Sequence, residues 1–177
     1  MNYLHNIPTY INGFVSSVVE IPRGSNAKYE FNVDYNFFEL DRCLITAMSY
    51  PANYGFIPQT LALDGDPLDC IIFTDVPLQT GIVVSGTAIA VLEMFDKGQS
   101  DDKVLIVPKF NSRYKNFHEI KEEYLEVYKD FFQNYKNLTS KNVYVIGWKD
   151  EKEAKRIIDE SVERYQKKYG VLQIHMS

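Results

Sequence analysis

Three carboxylates fall within six residues in Asp64-Gly65-Asp66-Pro67-Leu68-Asp69. Such a group repels itself, and a chain keeps it where water solvates it or cations neutralise it. Gly65 permits backbone angles closed to other residues and Pro67 stiffens the turn, so the loop reads as shaped. It runs straight into the apolar Cys70-Ile71-Ile72-Phe73, which can anchor it. On these residues alone, a divalent-cation site and an acidic surface turn both stay open. A calcium EF-hand does not fit. Counted from Asp64, Leu68 and Asp69 stand where an oxygen ligand and the invariant glycine belong.

A second acidic group, Asp96, Asp101 and Asp102, precedes Lys103. It joins two strand-like segments, so it is either a solvated hairpin tip or the closing edge of a multi-metal site. Lys28 and Glu30 share one strand face, Arg42 sits among apolar residues in Leu40-Asp41-Arg42-Cys43-Leu44, and Lys136 follows Tyr135. Singly each cation is bland, and function depends on whether they converge. His5, His118 and His175 show no metal-ligand spacing.

Strand patterns must position these groups. Phe14 to Ile21 is rich in β-branched residues, and Lys28 to Val33 alternates polar and apolar. Cys70 to Thr74, Ile82 to Met94, Lys103 to Val107 and Val143 to Ile146 complete the set, and their spacing predicts a small closed barrel. Phe117, Ile120, Tyr124, Val127 or Tyr128, Phe131, Tyr135 and Leu138 draw one helical stripe, with Asn116 as its expected cap. Ala154, Ile157, Ile158, Val162, Tyr165 and Tyr169 draw a second. Asp150 and Glu153 form its expected capping box and Gly170 its expected stop. Both helices read as packing elements against the barrel.

The chain has 177 residues with no repeat and no linker, which predicts one domain over residues 1–177. Its formal charge of −5 disfavours nucleic acid and anionic membrane as partners, and with them an oligonucleotide-binding barrel. Two cysteines, Cys43 and Cys70, read as buried free thiols. The first residues, MNYLHNIPTY, lack the features of a signal peptide, and no apolar run is long enough to span a membrane. A cytoplasmic protein is expected.

Read together, these pieces resemble the soluble family I inorganic pyrophosphatases, over roughly residues 15 to 165. The aspartate loop is similar to that family's signature, with aspartates at first, third and sixth places. Tyr50-Pro51-Ala52-Asn53-Tyr54-Gly55-Phe56-Ile57-Pro58 resembles its tyrosine-rich segment. Val19-Glu20-Ile21-Pro22 and Lys28-Tyr29-Glu30 resemble its first active-site strands. Arg42, the series Asp96, Asp101, Lys103, the pair Tyr135-Lys136 and Gly147-Trp148 keep the family order. One departure is Lys97, where relatives commonly carry an acidic residue.

The resemblance implies an α+β, mainly β fold: a distorted five-stranded barrel of OB type with two packed helices. It implies Mg²⁺-dependent hydrolysis of pyrophosphate to two phosphates, several Mg²⁺ per site, and a homohexamer of bacterial type. Asp64, Asp69 and Asp101 would hold the activating metals. Asp101 is chosen over Asp102 for its two-residue spacing to Lys103. Asp66 would accept the proton of the bridging water that attacks. Asp96 and Asp101, with Glu30, would hold metal carried by the substrate. Lys28, Arg42, Tyr135 and Lys136 would bind phosphate oxygens, and Tyr54 and Lys103 would position groups around them. Glu20 and Tyr50 would support the site.

Overall fold

The computed structural model describes residues 1–111, 114–136, 138 and 142–174, with no side-chain description for 171–174. Ten strands and two α-helices follow in the order β1 (Tyr10–Ile11), β2 (Phe14–Ile21), β3 (Ala27–Asn32), β4 (Phe37–Cys43), β5 (Asn53–Phe56), β6 (Asp69–Ile72), β7 (Val83–Asp96), β8 (Gln99–Ser100), β9 (Lys103–Pro108), α1 (Glu122–Asn134), β10 (Val143–Lys149) and α2 (Glu151–Ile174).

Five strands close on themselves. β2 pairs with β5, β5 with β6, β6 with β9, β9 with β7, and β7 returns to β2. All these pairings are antiparallel except β6 with β9. This is the five-stranded OB-type ring that the sequence led us to expect, and it is uneven, with register shifts at Val19/Ile21 and Ala88/Ala90. Two glycines let the strands come this close. A Cβ on Gly55 would lie 1.8 Å from the Val18 carbonyl oxygen, and one on Gly86 would lie 2.4 Å from that of Val107. β2 is buried from Val15 to Ile21, as a strand packed on both faces must be.

β3 and β4 form a separate two-stranded sheet outside the ring. The N-terminal segment straps this hairpin down. Tyr3 packs edge-on against Phe31 and Phe38, with centroids 5.5 and 5.2 Å away, and the Asn2 side-chain amide donates to the Val33 carbonyl at 3.2 Å. The sequence reading did not separate β4 or β5. β4 is mostly exposed and shows no alternation, and β5 is only four residues with a glycine inside.

α1 lays Leu125, Tyr128, Phe131 and Phe132 on the barrel. Its start differs from the expectation. Asn116 caps a single 3₁₀ turn at Phe117–Glu119, accepting from the His118 N–H. Buried Ile120 then takes an extended conformation, and α1 begins after Lys121 without a side-chain cap. The stripe thus serves two segments, because Ile120 and the α1 face must both enter one core. Leu138 lies beyond α1 and is exposed.

α2 opens as expected, with Asp150 Oδ1 accepting from the N–H groups of Lys152 and Glu153. It does not stop at Gly170, which keeps φ out of the left-handed region that a glycine stop requires. Cys70 is buried, but Cys43 is exposed at the end of the outlying hairpin, against the expectation of two buried thiols. No helix among the described residues is long and apolar enough to cross a membrane. His175 lies outside the described residues.

Candidate active site

The aspartate loop has a fixed shape. Gly65 adopts φ +97°, Asp64 Oδ1 accepts from the Asp66 N–H at 3.1 Å, and the Ala62 N–H donates to the Asp66 carbonyl at 2.7 Å. Leu68 is buried, its N–H held by Thr60 Oγ1 at 2.9 Å and its carbonyl by the Ile57 N–H at 2.8 Å. This anchor carries the chain into β6, whose first residue is Asp69. The second acidic group is shaped by a two-residue turn at Lys97-Gly98, both with positive φ, that pairs β7 with β8. Asp102 pins this turn, accepting from the Met94 N–H at 3.1 Å and the Ser100 hydroxyl at 2.8 Å.

These loops face one cavity of about 400 Å³. Asp64, Asp66 and Asp69 enter it from the first loop, and Asp96 and Asp101 from the second. Lys28 and Glu30 come from β3, Glu20 from β2, Tyr50 and Tyr54 from the stretch leading through β5, Lys103 from β9, and Tyr135 and Lys136 from the end of α1. Arg42 is the one expected site residue that does not line the cavity. It faces Lys28 across the hairpin, and its guanidinium donates to Asp41 Oδ2 at 2.8 Å. Asp102 also lies outside, bound to its own turn.

Sequence reasoning did not assign Phe31, Val33, Phe56, Pro67, Lys97, Gln99 and Ser100, which also line the cavity. Lys97 was signalled only as a departure from the family pattern, and closeness to expected site residues was the only available signal for the others.

The charges are densely paired. Lys103 Nζ, almost wholly buried, lies between Asp69 Oδ2 at 2.6 Å and Asp101 Oδ1. Burial opposes its charge, but the two carboxylates outweigh burial and raise its pKa. Lys136 Nζ meets Asp96 Oδ2 at 2.6 Å. Lys28 meets Glu30 and lies 3.4 Å from Asp41 Oδ2.

Burial is the largest influence on three of the carboxylates. Burial, then Asp64 and Asp69, pushes Asp66 up. Burial outweighs the neighbouring Lys103 ammonium and pushes Asp101 up to about 6. Glu20 accepts the Phe31 N–H at 2.7 Å, yet burial still pushes it up to about 8. The phenols of Tyr50 and Tyr54 are raised by burial and by nearby negative charge, so they stay protonated donors.

A model of the family described as inorganic pyrophosphatase matches residues 17–166. The chain belongs to the inorganic pyrophosphatase family. The chain is 42% identical over 156 residues to an inorganic pyrophosphatase of Synechocystis, covering 86% of this chain and 92% of that one. It is also 42% identical over 166 residues to an inorganic pyrophosphatase of Campylobacter jejuni, covering 90% and 94%. The crystal structure of inorganic pyrophosphatase from Thermus thermophilus superposes with a TM-score of 0.86 at 37% identity, covering 93% of this chain and 99% of that one. As a member of this pyrophosphatase family, the chain is an enzyme, a hydrolase acting on phosphorus-containing anhydrides.

The cavity suits the metal dependence of this pyrophosphatase family. Its donors are all oxygen, the set that hard divalent cations prefer. Asp96 Oδ1 is buried with no hydrogen-bond partner among the described residues, a costly state that a cation would relieve. No three carboxylates among the described residues close on a single point.

Proposed function

We propose that this chain hydrolyses inorganic pyrophosphate to two phosphates, using Mg²⁺. One observation carries the reading: a single cavity of about 400 Å³ gathers an all-oxygen donor set and four lysines on a closed barrel. Asp64, Asp69, Asp96, Asp101 and Glu30 would hold the metal. When bound, Mg²⁺ neutralises phosphate oxygens and makes a water acidic enough to attack.

Asp66 accepts the proton of the attacking water. Burial, with Asp64 and Asp69 beside it, raises its pKa and makes it a stronger base than an ordinary aspartate. The water oxygen bonds to one phosphorus, and the bridging bond to the other phosphate breaks. Lys28, Lys103 and Lys136 supply positive charge as the leaving phosphate takes up the electron pair. Tyr54 and Tyr135 donate hydroxyls towards the substrate, and Tyr50, packed on Tyr54 and Phe131, holds that wall. Arg42 reaches the substrate by leaving Asp41, which is a local side-chain movement. The cytoplasm and a homohexamer complete the reading, and sedimentation would show six chains of 20.5 kDa.

The test is phosphate release from pyrophosphate by the purified protein. Release with Mg²⁺ that EDTA abolishes supports the reading, and no release at any Mg²⁺ concentration overturns it. Asp66→Asn should lower kcat by about two orders of magnitude, the scale of a lost general base. Turnover near that of the wild type would remove Asp66 from that role. ATP offered in place of pyrophosphate separates this substrate from a nucleotide.

A further inference from the structure

Four lysines line the cavity, and three already have carboxylate partners. Lys28 holds Glu30, Lys103 holds Asp69 and Asp101, and Lys136 holds Asp96. Before any of these can bind a polyanion strongly, it must share or give up an existing partner. Lys97 is different. It has no ion pair among the described residues, it is exposed, and it stands at the cavity edge beside Asp96.

Its backbone is also unusual. Lys97 sits at φ +51° in the first place of a two-residue turn, a position that Asn, Asp and Gly occupy more readily. The turn is held by the Lys97 N–H donating to the Asn142 carbonyl at 3.0 Å and by Asp102 behind it. A long cationic side chain is thus mounted on a fixed turn at the mouth of a cavity whose other cations are occupied.

We infer that Lys97 is a specificity-determining residue that captures the incoming pyrophosphate anion at the cavity mouth. This rests on the pyrophosphatase reading above. Lys97 adds attraction before the substrate displaces any internal ion pair, and it stays with the outer phosphate once the anion is seated. It selects for a dense anionic charge at the mouth, and it acts on binding more than on bond breaking.

The experiment uses the full chain with Mg²⁺ and two readouts: steady-state hydrolysis of pyrophosphate, and calorimetric binding of methylenediphosphonate, which cannot be hydrolysed. Lys97→Asn removes the charge and keeps a residue suited to the turn, whereas Lys97→Arg keeps the charge. At low ionic strength Lys97→Asn should raise both KM and Kd about three- to fivefold, the yield of one solvent-exposed ion pair. The loss should fall on KM more than on kcat. The gap from wild type should close at about 0.5 M salt, where screening shortens to a few ångströms. Lys97→Arg should restore wild-type binding.

Unchanged KM and Kd for Lys97→Asn at low salt would overturn the inference. So would Lys97→Arg binding as weakly as Lys97→Asn, since turn geometry and not charge would then carry the effect. A wild type that binds the analogue yet releases no phosphate would sink the pyrophosphatase reading alone, and calorimetry would still judge Lys97.

Discussion

The cavity has two unlike halves. Lys103, Asp69 and Asp101 sit on or beside β6 and β9, which pair within the closed ring. The Lys103 side chain is 2% exposed and held between two carboxylates. Lys28, Glu30 and Arg42 sit on the β3–β4 hairpin, which pairs only with itself. Their side chains are 19%, 49% and 45% exposed. The barrel half pairs its charges in a largely buried setting. The hairpin half is held by side-chain packing and a few hydrogen bonds, and its charged side chains are more exposed. The same residue type, lysine, is therefore buried between two carboxylates in one half and partly exposed in the other.

Lys103→Ala should show the largest effect. It leaves Asp69 and Asp101 facing each other without a counterion, and breaking a buried pair costs about 3 kcal/mol or more. Thermal unfolding in EDTA should register this as a large fall in Tm, with activity lost even where the protein is folded. Lys28→Ala should leave Tm near that of the wild type and act on substrate binding. Equal losses of stability from the two variants would mean that the two halves are equally anchored.

Arg42→Lys comes next. A compact ammonium cannot reproduce the planar fork of a guanidinium on a phosphate. KM for pyrophosphate should rise about tenfold, with Tm unchanged because Arg42 is half-exposed on the hairpin. Unchanged KM would leave Arg42 with Asp41 and out of the substrate's reach.

Tyr3→Ala tests what holds the hairpin. It removes two edge-on aromatic contacts, each worth about 1 kcal/mol. Amide exchange over residues 27–43 should quicken, while that of β6 and β9 stays slow. Quickening spread evenly over both halves would show that the strap supports the whole fold and not the hairpin.

This division limits what was legible in the sequence. Ring strands such as β2 and β9 showed through, because burial forces a run of β-branched and apolar residues. The OB-type ring and the two helices followed from such patterns and from the family order of residues. β4 did not show, because an exposed strand need not alternate. Thirteen of the fourteen expected site residues converge on one cavity, because their order along the chain reflects strands that the barrel brings together. Arg42 was expected to bind phosphate, but it faces Lys28 across the hairpin and pairs with Asp41, contacts that no spacing rule reveals. Lys97 drew attention only as a departure from the family pattern. Its missing partner is a fact of three dimensions.

A pH-dependent effect lies at the joint between the halves. Glu20 stands on β2, in the ring, and accepts the Phe31 N–H of the hairpin at 2.7 Å. Burial pushes it up to about 8, from an ordinary value of 4.5. Between those two pH values the folded chain holds a proton that the unfolded chain has lost. The stability gained from a neutral Glu20 is therefore complete below about pH 4.5 and is lost as pH rises through about 8. Glu20→Gln keeps an acceptor for Phe31 and cannot ionise. Measured in EDTA, the two proteins should have similar Tm at pH 5. At pH 8.5 the variant should be higher, by something on the order of 10 °C. A Tm difference that is flat across this range would mean that Glu20 ionises like an exposed carboxylate. Water would then reach the joint, and the hairpin would be seated less firmly on the ring than its hydrogen bond to β2 implies.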